Sequence, residues 1–293
     1  MGQPVTTKAG GAPEGLLLVD KPGGMTSHDV VDRVRRSLGT RKVGHAGTLD
    51  PMATGLLVVG VGRATRLLRY LSGLDKDYEG TARLGEETDT LDADGTVVRT
   101  APVDVSRDQL DRTLAALTGP LEQRPPAYSA VKVGGEAMHK AARRGEAVEA
   151  PSRAIHVASF TARSFDGRDF VFACSVSSGT YVRVLVADAG TALGCGAHLT
   201  ELRRTRVGAF SIDEAVPLAN FGTPRPIEES VRHLPSVRLD HPDEAAAAAN
   251  GRPLGPAGID GPYVVLDPNG RLVAVYRDEH AKAVPEMVLA PPS

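Results

Sequence analysis

Apolar and polar positions change their period several times along the chain, and these changes divide it into short strands and helices. Residues 15–20 and 55–61 are compact apolar runs bounded by turns, which is typical of strands. Valines recur at helical spacing after Ser27, so the pattern predicts a helix over residues 28–38 with Ser27 as its cap. Strands and helices of this kind indicate a mixed α+β fold.

Further elements follow from the same pattern. It predicts helices over residues 64–71 and after Ser106, strands over residues 77–84 and 170–176, a basic extended segment over residues 200–210, and either a strand or a helix start over residues 181–186. Residues 127–153 are basic and have a strand, turn and helix pattern, which we interpret as an excursion from the core.

The two ends of the chain differ from its middle. Residues 1–13 are polar and rich in small residues, and we expect a disordered tail there. Two apolar runs at residues 263–266 and 271–276 flank the turn D-P-N-G, which predicts a β-hairpin. We therefore predict a small β-rich domain over residues 236–293. Its eight acidic and five basic residues give it a net charge of -3.

The composition narrows the class of protein. Of its 293 residues 41% are hydrophobic, and 32 Gly and 21 Pro indicate many turns, which suits a mixed fold better than a helical bundle. Cys174 and Cys195 lack CxxC spacing, so we expect reduced thiols and no zinc site. The chain shows neither an apolar signal segment nor an apolar run of membrane-spanning length, and we expect a soluble, cytoplasmic protein with no cofactor or metal.

The distribution of charge indicates a nucleic acid more clearly than the net charge of -2 does. Basic clusters lie in residues 31–43, 140–144 and 203–206, whereas acidic residues concentrate in residues 86–94 and offset the total. Any single basic run is most simply a solvated surface. Three such runs beside loops with candidate chemistry favour RNA or DNA as the partner, because local patches determine the contacts with phosphates.

The most informative stretch is V-G-H-A-G-T-L-D-P-M-A-T-G-L-L, because it places Asp50 on a stiff turn before an apolar strand. Pro51 restricts Asp50 to an extended or turn conformation. An Asx turn or a helix cap is the simplest role for an Asp before Pro. A catalytic role is the alternative, since scaffolds present reactive side chains on such loops.

Other residues gain meaning beside Asp50. On a strand Tyr181 and Arg183 would share one face, either as an exposed edge or with Arg183 holding a carboxylate ionised through a bidentate pair. An ionised Asp can act as a nucleophile. Tyr78 is either a half-buried strand residue or a platform for a flipped base, and His45 is either a structural loop residue or a substrate contact.

Seven stretches, in order along residues 15–210, resemble the bacterial tRNA pseudouridine-55 synthase family, also called the TruB family. They are L-L-L-V-D-K-P-G-G-M-T-S-H-D-V, K-V-G-H-A-G-T-L-D-P-M-A-T-G-L-L, D-K-D-Y-E-G, R-L-G-E-E-T-D-T-L-D-A-D-G, R-P-P-A-Y-S-A-V-K, S-S-G-T-Y-V-R and G-C-G-A-H-L-T-E-L-R-R. Each is of modest specificity alone, but their common order leaves little room for chance.

The resemblance implies a fold and a reaction. It implies a catalytic domain over residues 14–220, built on a mixed, largely antiparallel sheet with flanking helices, and a small PUA-like C-terminal domain over residues 236–293. Residues 127–153 would close over the RNA. The reaction is a cofactor-free isomerisation of one uridine in the tRNA T loop to pseudouridine, and we expect a monomer without an obligate protein partner.

The resemblance also implies roles for particular residues. Asp50 matches the nucleophile and Arg183 its ion-pair partner. Tyr78 matches the catalytic aromatic residue that stacks on the target base and can act in proton transfer. The residues expected to contact the substrate are His45, Tyr181, Leu202, Lys21, Arg203 and Arg204. Asp50 would attack either the uracil ring or the ribose carbon, and the sequence does not separate the two.

Three rival functions stay open at the level of sequence. The first is a non-catalytic RNA-binding or RNA-folding protein that uses the same groove, although a pure binder has no need of an ion-paired nucleophile. The second is a pseudouridine synthase that acts on another RNA or within a guide-RNA complex. The third is a glycosidase or nucleosidase, which would require a second carboxylate that no comparable motif supplies.

Overall fold

The computed structural model describes residues 13–129 and 150–289, and between them only positions 132, 133, 136–138 and 144. Most of the predicted tail and of the predicted excursion at 127–153 therefore lies outside the described residues.

The strands are β1 (Gly15–Lys21), β2 (Val43–Ala46), β3 (Thr54–Val61), β4 (Lys76–Leu84), β5 (Glu86–Thr88), β6 (Val97–Thr100), β7 (Gly119–Gln123), β8 (Lys132–Val133), β9 (Glu136–Ala137), β10 (Arg153–Phe165), β11 (Asp169–Val176), β12 (Ala197–Val207), β13 (Phe210–Ser211), β14 (Val216–Pro217), β15 (Ser236–Arg238), β16 (Pro262–Leu266), β17 (Leu272–Glu279) and β18 (Lys282–Val288). The α-helices are α1 (Ser27–Leu38), α2 (Leu68–Ser72), α3 (Arg107–Ala116), α4 (Val182–Ala192) and α5 (Pro242–Ala249).

A large twisted sheet forms the centre of the molecule, in the order β14-β1-β3-β12-β4-β11-β10-β7, with β2 beside β3 and β13 beside β12. Among the described pairings of this sheet, β1–β14 and β3–β12 are parallel and the others are antiparallel. The predicted mixed, largely antiparallel sheet with flanking helices is confirmed.

Strand β3 is the most deeply buried strand of this sheet because both of its faces are covered. Its side chains from Gly55 to Val61 are all buried. Helix α1 packs its valines against Leu57 on one face, and α2 packs against Leu56 on the other. A continuous apolar run is the pattern expected for a strand with two covered faces. The loop that precedes β3 is thus attached to a strand that is packed on both faces.

Two helix predictions need correction at their ends. The cap of α1 is Thr26, not Ser27: the Thr26 hydroxyl accepts from the backbone N–H of Asp29, and the Asp29 carboxylate accepts from the backbone N–H of Thr26. Ser27 is instead buried and serves the neighbouring loop. The helix predicted over residues 64–71 is a 3₁₀ turn, Gly62–Arg66, followed by the short helix α2.

The predicted C-terminal hairpin is confirmed as β16 and β17, within a separate four-stranded sheet of order β15-β16-β17-β18. This sheet packs through an apolar cluster against Leu67 and Val231. Arg63 and Arg66 donate hydrogen bonds to the backbone carbonyls of Leu289 and Val288, at 2.5 and 2.7 Å. The small sheet is therefore attached to the turn that follows β3.

The second half of the large sheet has an aromatic core. Phe160, Phe170 and Phe172 are buried, and the rings of Phe160 and Phe172 meet edge to face at 5.4 Å between centroids. Edge-to-face contact adds to the free energy gained from burial. These rings support β4 and β11, which carry part of the candidate site.

We predict that Phe172→Ala lowers the free energy of unfolding by about 3–5 kcal/mol, because it leaves a cavity in this core. Denaturant unfolding followed by circular dichroism measures the loss. Val171→Ala is the matched control on the same strand: Val171 is 38% exposed, and its truncation should cost less than about 1 kcal/mol. Equal losses for the two variants would contradict this assignment of the core.

Candidate active site

Asp50 lies on the loop between β2 and β3, at the wall of a cavity of about 450 Å³. Gly47 turns this loop with a φ of 87°, a conformation that favours glycine. The backbone N–H of Ala53 donates to the carbonyl of Asp50 at 3.1 Å and closes the turn that presents the carboxylate. The Asp50 side chain is 36% exposed, so a ligand in the cavity can reach it.

Buried polar side chains hold the Asp50 loop in place. The Ser27 hydroxyl accepts from the backbone N–H of Leu49 at 2.8 Å and donates to its carbonyl at 3.1 Å. The Lys21 ammonium donates to the carbonyls of Pro22, Met25 and Pro51. Burial of the Ser27 hydroxyl and the Lys21 ammonium is tolerated because backbone groups of the loop hydrogen-bond to both.

Arg204 supplies the third support of the loop. Its guanidinium is fully buried and donates to the carbonyls of Leu56, Thr48 and Gly47 at 2.8, 3.3 and 3.0 Å. Gly55 allows this arrangement, since its φ is 100° and a Cβ there would lie 2.3 Å from the Arg204 carbonyl oxygen. Arg204 thus joins β12 to the loop on either side of Asp50.

Lys21, Arg203 and Arg204 all have partners within the protein, and their expected contact with the substrate stays a prediction. Lys21 and Arg204 are fully buried and bonded to backbone carbonyls. Arg203 is 41% exposed but forms a bidentate ion pair with Asp20 at 2.8 and 3.0 Å. The guanidinium groups of Arg203 and Arg204 thus already have hydrogen-bond partners within the fold around Asp50.

Arg183 reaches Asp50 from the first turn of α4. The stretch from Tyr181 is thus a helix start, and the strand alternative is wrong. The Arg183 side chain is 5% exposed, and its Nε lies 3.6 Å from Asp50 Oδ2. This is one long contact and not the bidentate pair expected from the sequence.

The stronger partners of Arg183 are elsewhere. Its Nη1 donates to Asp92 Oδ2 at 3.0 Å, and its Nη2 donates to the carbonyl of Tyr128 at 2.6 Å. Asp92 is itself buried, 5% exposed, and was not singled out from the sequence. The sequence shows only an acidic run at residues 86–94, and nothing in it distinguishes buried Asp92 from its exposed neighbours. Asp92 fixes the guanidinium that faces Asp50.

Burial has the largest effect on the pKa of the Asp50 carboxyl. Loss of solvent raises the pKa of the Asp50 carboxyl above its ordinary value, and the Asp92 carboxylate raises it further, whereas Arg183 and Lys21 lower it. Arg183 lowers the pKa as the sequence suggested, but burial outweighs this effect and the net direction is upward. Burial also lowers the pKa of Lys21 to about 8.

Aromatic and apolar side chains complete the cavity. Tyr78, Tyr181 and Leu202 line it together with Asp50 and Arg183. Tyr78 is 7% exposed, and its burial raises the pKa of the phenol, which keeps its proton at neutral pH. His45 lies outside this lining, on β2, and burial lowers the pKa of its imidazole.

Lys76 is a further cation of the site that sequence analysis missed. It lines the cavity, is 6% exposed, and donates to the carbonyls of Ser72 and Leu74 at 3.2 and 2.6 Å. Its burial lowers the pKa of the ammonium to about 8. The alternation of β4 gives the signal that could have found it, since Lys76 shares the inward face with Tyr78.

The site therefore combines one carboxylate with aromatic surfaces and buried cations. Among the described lining residues, Asp50 is the one acid, which does not fit a glycosidase with paired carboxylates. Neither a group of acids, His and Cys suited to a metal ion nor a helix able to cross a membrane is found in residues 13–129 and 150–289. An Asp paired with a buried Arg, in a cavity that Tyr78 also lines, is the arrangement expected of the pseudouridine synthase class that the sequence resembles.

Comparison with known proteins agrees with this class. Residues 35–182 match the TruB family pseudouridylate synthase N-terminal domain, residues 183–224 match the tRNA pseudouridylate synthase B C-terminal domain, and residues 234–290 match the tRNA Pseudouridine synthase II C-terminal domain. The chain belongs to the TruB family of pseudouridylate synthases.

Individual relatives span nearly the whole chain. A tRNA pseudouridine synthase B of Mycobacterium sp. (strain KMS) is 48% identical over 96% of this chain and 98% of its own length. One of Thermobifida fusca (strain YX) is 45% identical over 94% and 99%. Among solved structures, a chain of a Cbf5-Nop10-Gar1 complex is 30% identical with a TM-score of 0.72, over 95% of this chain and 84% of that one.

We predict that Asp92→Asn lowers the free energy of unfolding by about 1–3 kcal/mol, because it leaves the buried Arg183 guanidinium with a weaker acceptor. Thermal and denaturant unfolding measure this. The control is Asp94→Asn, an exposed acid of the same loop, which should change stability by less than about 0.5 kcal/mol. An unchanged free energy of unfolding in Asp92→Asn would show that the burial of Arg183 does not depend on the Asp92 carboxylate.

Asp50→Asn should stabilise the protein at pH 7. The folded state raises the pKa of Asp50, so folding disfavours its ionised form, and the penalty is present above the folded pKa. As the pH falls through that pKa and towards the unfolded value near 3.8, the wild type regains this stability and the difference disappears. Melting temperatures between pH 3 and pH 8 test the sign, and a variant destabilised at pH 7 would contradict it.

Proposed function

We propose that the protein is a tRNA pseudouridine synthase that converts uridine 55 of the T loop to pseudouridine with Asp50 as the nucleophile. The observation that carries the proposal is the single carboxylate of Asp50, held against buried Arg183 in a cavity lined by Tyr78 and Tyr181. Relatives that share nearly the whole chain are named tRNA pseudouridine synthase B, which supports tRNA as the substrate.

The target uridine has to leave the RNA stack to reach Asp50. Extrusion of a loop base costs a few kcal/mol. Stacking on an aromatic side chain returns roughly 1–3 kcal/mol per base. Tyr78 lies at the cavity wall with its ring held by the sheet, and Leu202 offers apolar surface beside it. These side chains favour the flipped uridine over the stacked one.

The reaction exchanges one bond to the ribose for another. The glycosidic bond between N1 and C1′ breaks, a bond between C5 and C1′ forms, and the C5 proton is lost while N1 gains one, so atoms and electrons balance. Ionised Asp50 adds either to the uracil ring or at the ribose carbon. Both routes require the carboxylate, and both leave Tyr78 as a protonated phenol able to hydrogen-bond to the base.

The buried cations stabilise the charge that this chemistry creates. Arg183 and Lys21 favour the Asp50 carboxylate against the cost of burial. A detached or covalently bound uracil also carries negative charge, and fixed cations in a site with little water stabilise it without reorganising. The lining of the cavity thus supports both the ground-state nucleophile and the anionic intermediate.

The organisation of the chain supports a division of labour. We propose that residues 14–220 act as the catalytic domain, that residues 127–153 have the RNA-closing role that the family resemblance implies, and that residues 236–293 act as a PUA-like domain. The acidic balance of that last domain favours packing and a limited contact with RNA over a broad phosphate-binding surface. We expect the enzyme to act as a cytoplasmic monomer on the T arm, with His45 close to the flipped uridine.

Two alternatives remain weaker. A pure RNA-folding protein would not require the buried Arg183–Asp92 pair behind Asp50, since binding alone gains nothing from an activated carboxylate. A guide-RNA-dependent enzyme is the other alternative, because some structural relatives come from H/ACA RNP assemblies. The greater identity to relatives named tRNA pseudouridine synthase B favours the first assignment.

The decisive experiment measures pseudouridine in an unmodified tRNA transcript with wild type and with Asp50→Asn. Wild type should produce pseudouridine at one T-loop uridine. The variant should lose at least about 10⁴-fold in rate, as for loss of a covalent nucleophile, while its affinity for the transcript stays within a few fold. Asp94→Asn serves as the charge-matched control and should retain activity.

Product from Asp50→Asn at the wild-type rate would remove Asp50 from the reaction. Tight binding without product from wild type would move the assignment to an RNA-folding protein. Product only in ribosomal RNA, or only after addition of a guide RNA, would support the other alternative.

A further inference from the structure

Three arginine side chains line the cavity, and they differ in how their N–H groups are used. Arg183 donates to Asp92, to Thr90 and to Tyr128. Arg204 donates to three loop carbonyls. Arg153 forms no hydrogen bond or ion pair with any residue that the structure describes, and its Nε is buried without an acceptor. An arginine has five donors and no acceptor, so Arg153 has unused donors at the site.

The Arg153 guanidinium is nevertheless held in a defined place. It lies over the ring of Tyr181, 4.6 Å from the centroid. The backbone of Tyr181 is fixed on both sides by the buried amide of Gln123, which accepts from its N–H at 2.8 Å and donates to its carbonyl at 3.1 Å. A guanidinium stacked on a fixed ring keeps its N–H edges free for a planar acceptor.

The surroundings of Arg153 place it at the rim of the cavity. It begins β10 and lies beside exposed Gly179, where a Cβ would come within 3.6 Å of Arg153 Nη1. The adjacent Thr180 also lines the cavity, and its hydroxyl oxygen is buried without a partner among the described residues. Two polar groups that have no hydrogen-bond partner in the described part of the chain therefore lie on the same side of the cavity.

We propose that Arg153 and Thr180 bind a phosphodiester that flanks the flipped uridine. The proposal rests on the proposed function. Asp50 and Tyr78 occupy the wall that the base must reach, whereas the sugar–phosphate chain of an extruded nucleotide stays near the opening. A guanidinium binds phosphate through two parallel, charge-assisted hydrogen bonds, and the Thr180 hydroxyl can donate a third.

The test compares Arg153→Ala with wild type on a T-arm stem-loop RNA. The RNA is made unmodified and with a single neutral methylphosphonate at each linkage in turn around the target uridine. On unmodified RNA the variant should lose about 10- to 100-fold in kcat/KM, the fold-change of one lost charge-assisted hydrogen-bonded contact. On RNA that lacks charge at the contacted linkage, wild type and Arg153→Ala should react within about twofold of each other.

Further variants separate phosphate binding from a structural role. Arg153→Lys keeps the charge but loses the paired donors, and it should recover only part of the loss. Arg163→Ala, on the same strand and ion-paired with Glu79 at 2.7 Å, should behave as wild type. The slope of log affinity against log salt should fall by about 1 in Arg153→Ala and stay unchanged in Arg163→Ala.

If the loss caused by Arg153→Ala is the same on every methylphosphonate RNA as on unmodified RNA, the two effects are independent. That result would overturn the phosphate assignment. Dissociation constants of wild type and Arg153→Ala for the same RNAs test the phosphate contact even if no product forms. An inactive wild type on unmodified RNA would contradict the proposed function, whereas an active wild type with independent losses would contradict only the role of Arg153.

Discussion

The burial of positive charge beneath the Asp50 loop is the constraint on which the site depends. Arg204 and Lys21 are fully buried, and carbonyl oxygens of the chain around Asp50 satisfy their donors. A cation without acceptors in this position would cost several kcal/mol. The loop therefore keeps the conformation that turns its carbonyls towards the two cations, and this same conformation turns the Asp50 carboxylate towards the cavity.

A second balance acts on the carboxylate itself. Removing Asp50 from water disfavours its charge, and Asp92 adds to that effect, while Arg183 and Lys21 oppose both. Asp92 thus has two consequences: it fixes Arg183 firmly, and it weakens the support that Arg183 gives to Asp50. The result is a carboxylate whose ionised form is less stabilised than that of a surface aspartate, which suits the nucleophilic role proposed for it.

Much of the fold was accessible from the sequence because local pattern and burial agree. The apolar run of β3, the alternation of β4 and the turn before β17 each predict the element observed. Asp50 was found because Pro51 and Gly47 mark its loop. Asp92 and the buried state of Arg204 were not, because a charged residue carries no local mark of its partners. Pairings such as Arg204 with the Leu56 carbonyl join residues 148 positions apart, and only the tertiary structure reveals them.

The position of β12 between β3 and β4 has a consequence for how the protein acquires activity. Strand β12 must pair with β3 and β4, which lie far from it in the chain, before Arg204 can reach the loop around Asp50. Pairing strands that are far apart in the chain costs loop-closure entropy before any stabilising contact forms, so such pairings form late and slowly. The Asp50 loop consequently lacks the support of Arg204 in a nascent chain that does not yet include β12. Enzymatic competence would therefore appear only after β12 has been synthesised and paired, rather than growing with chain length.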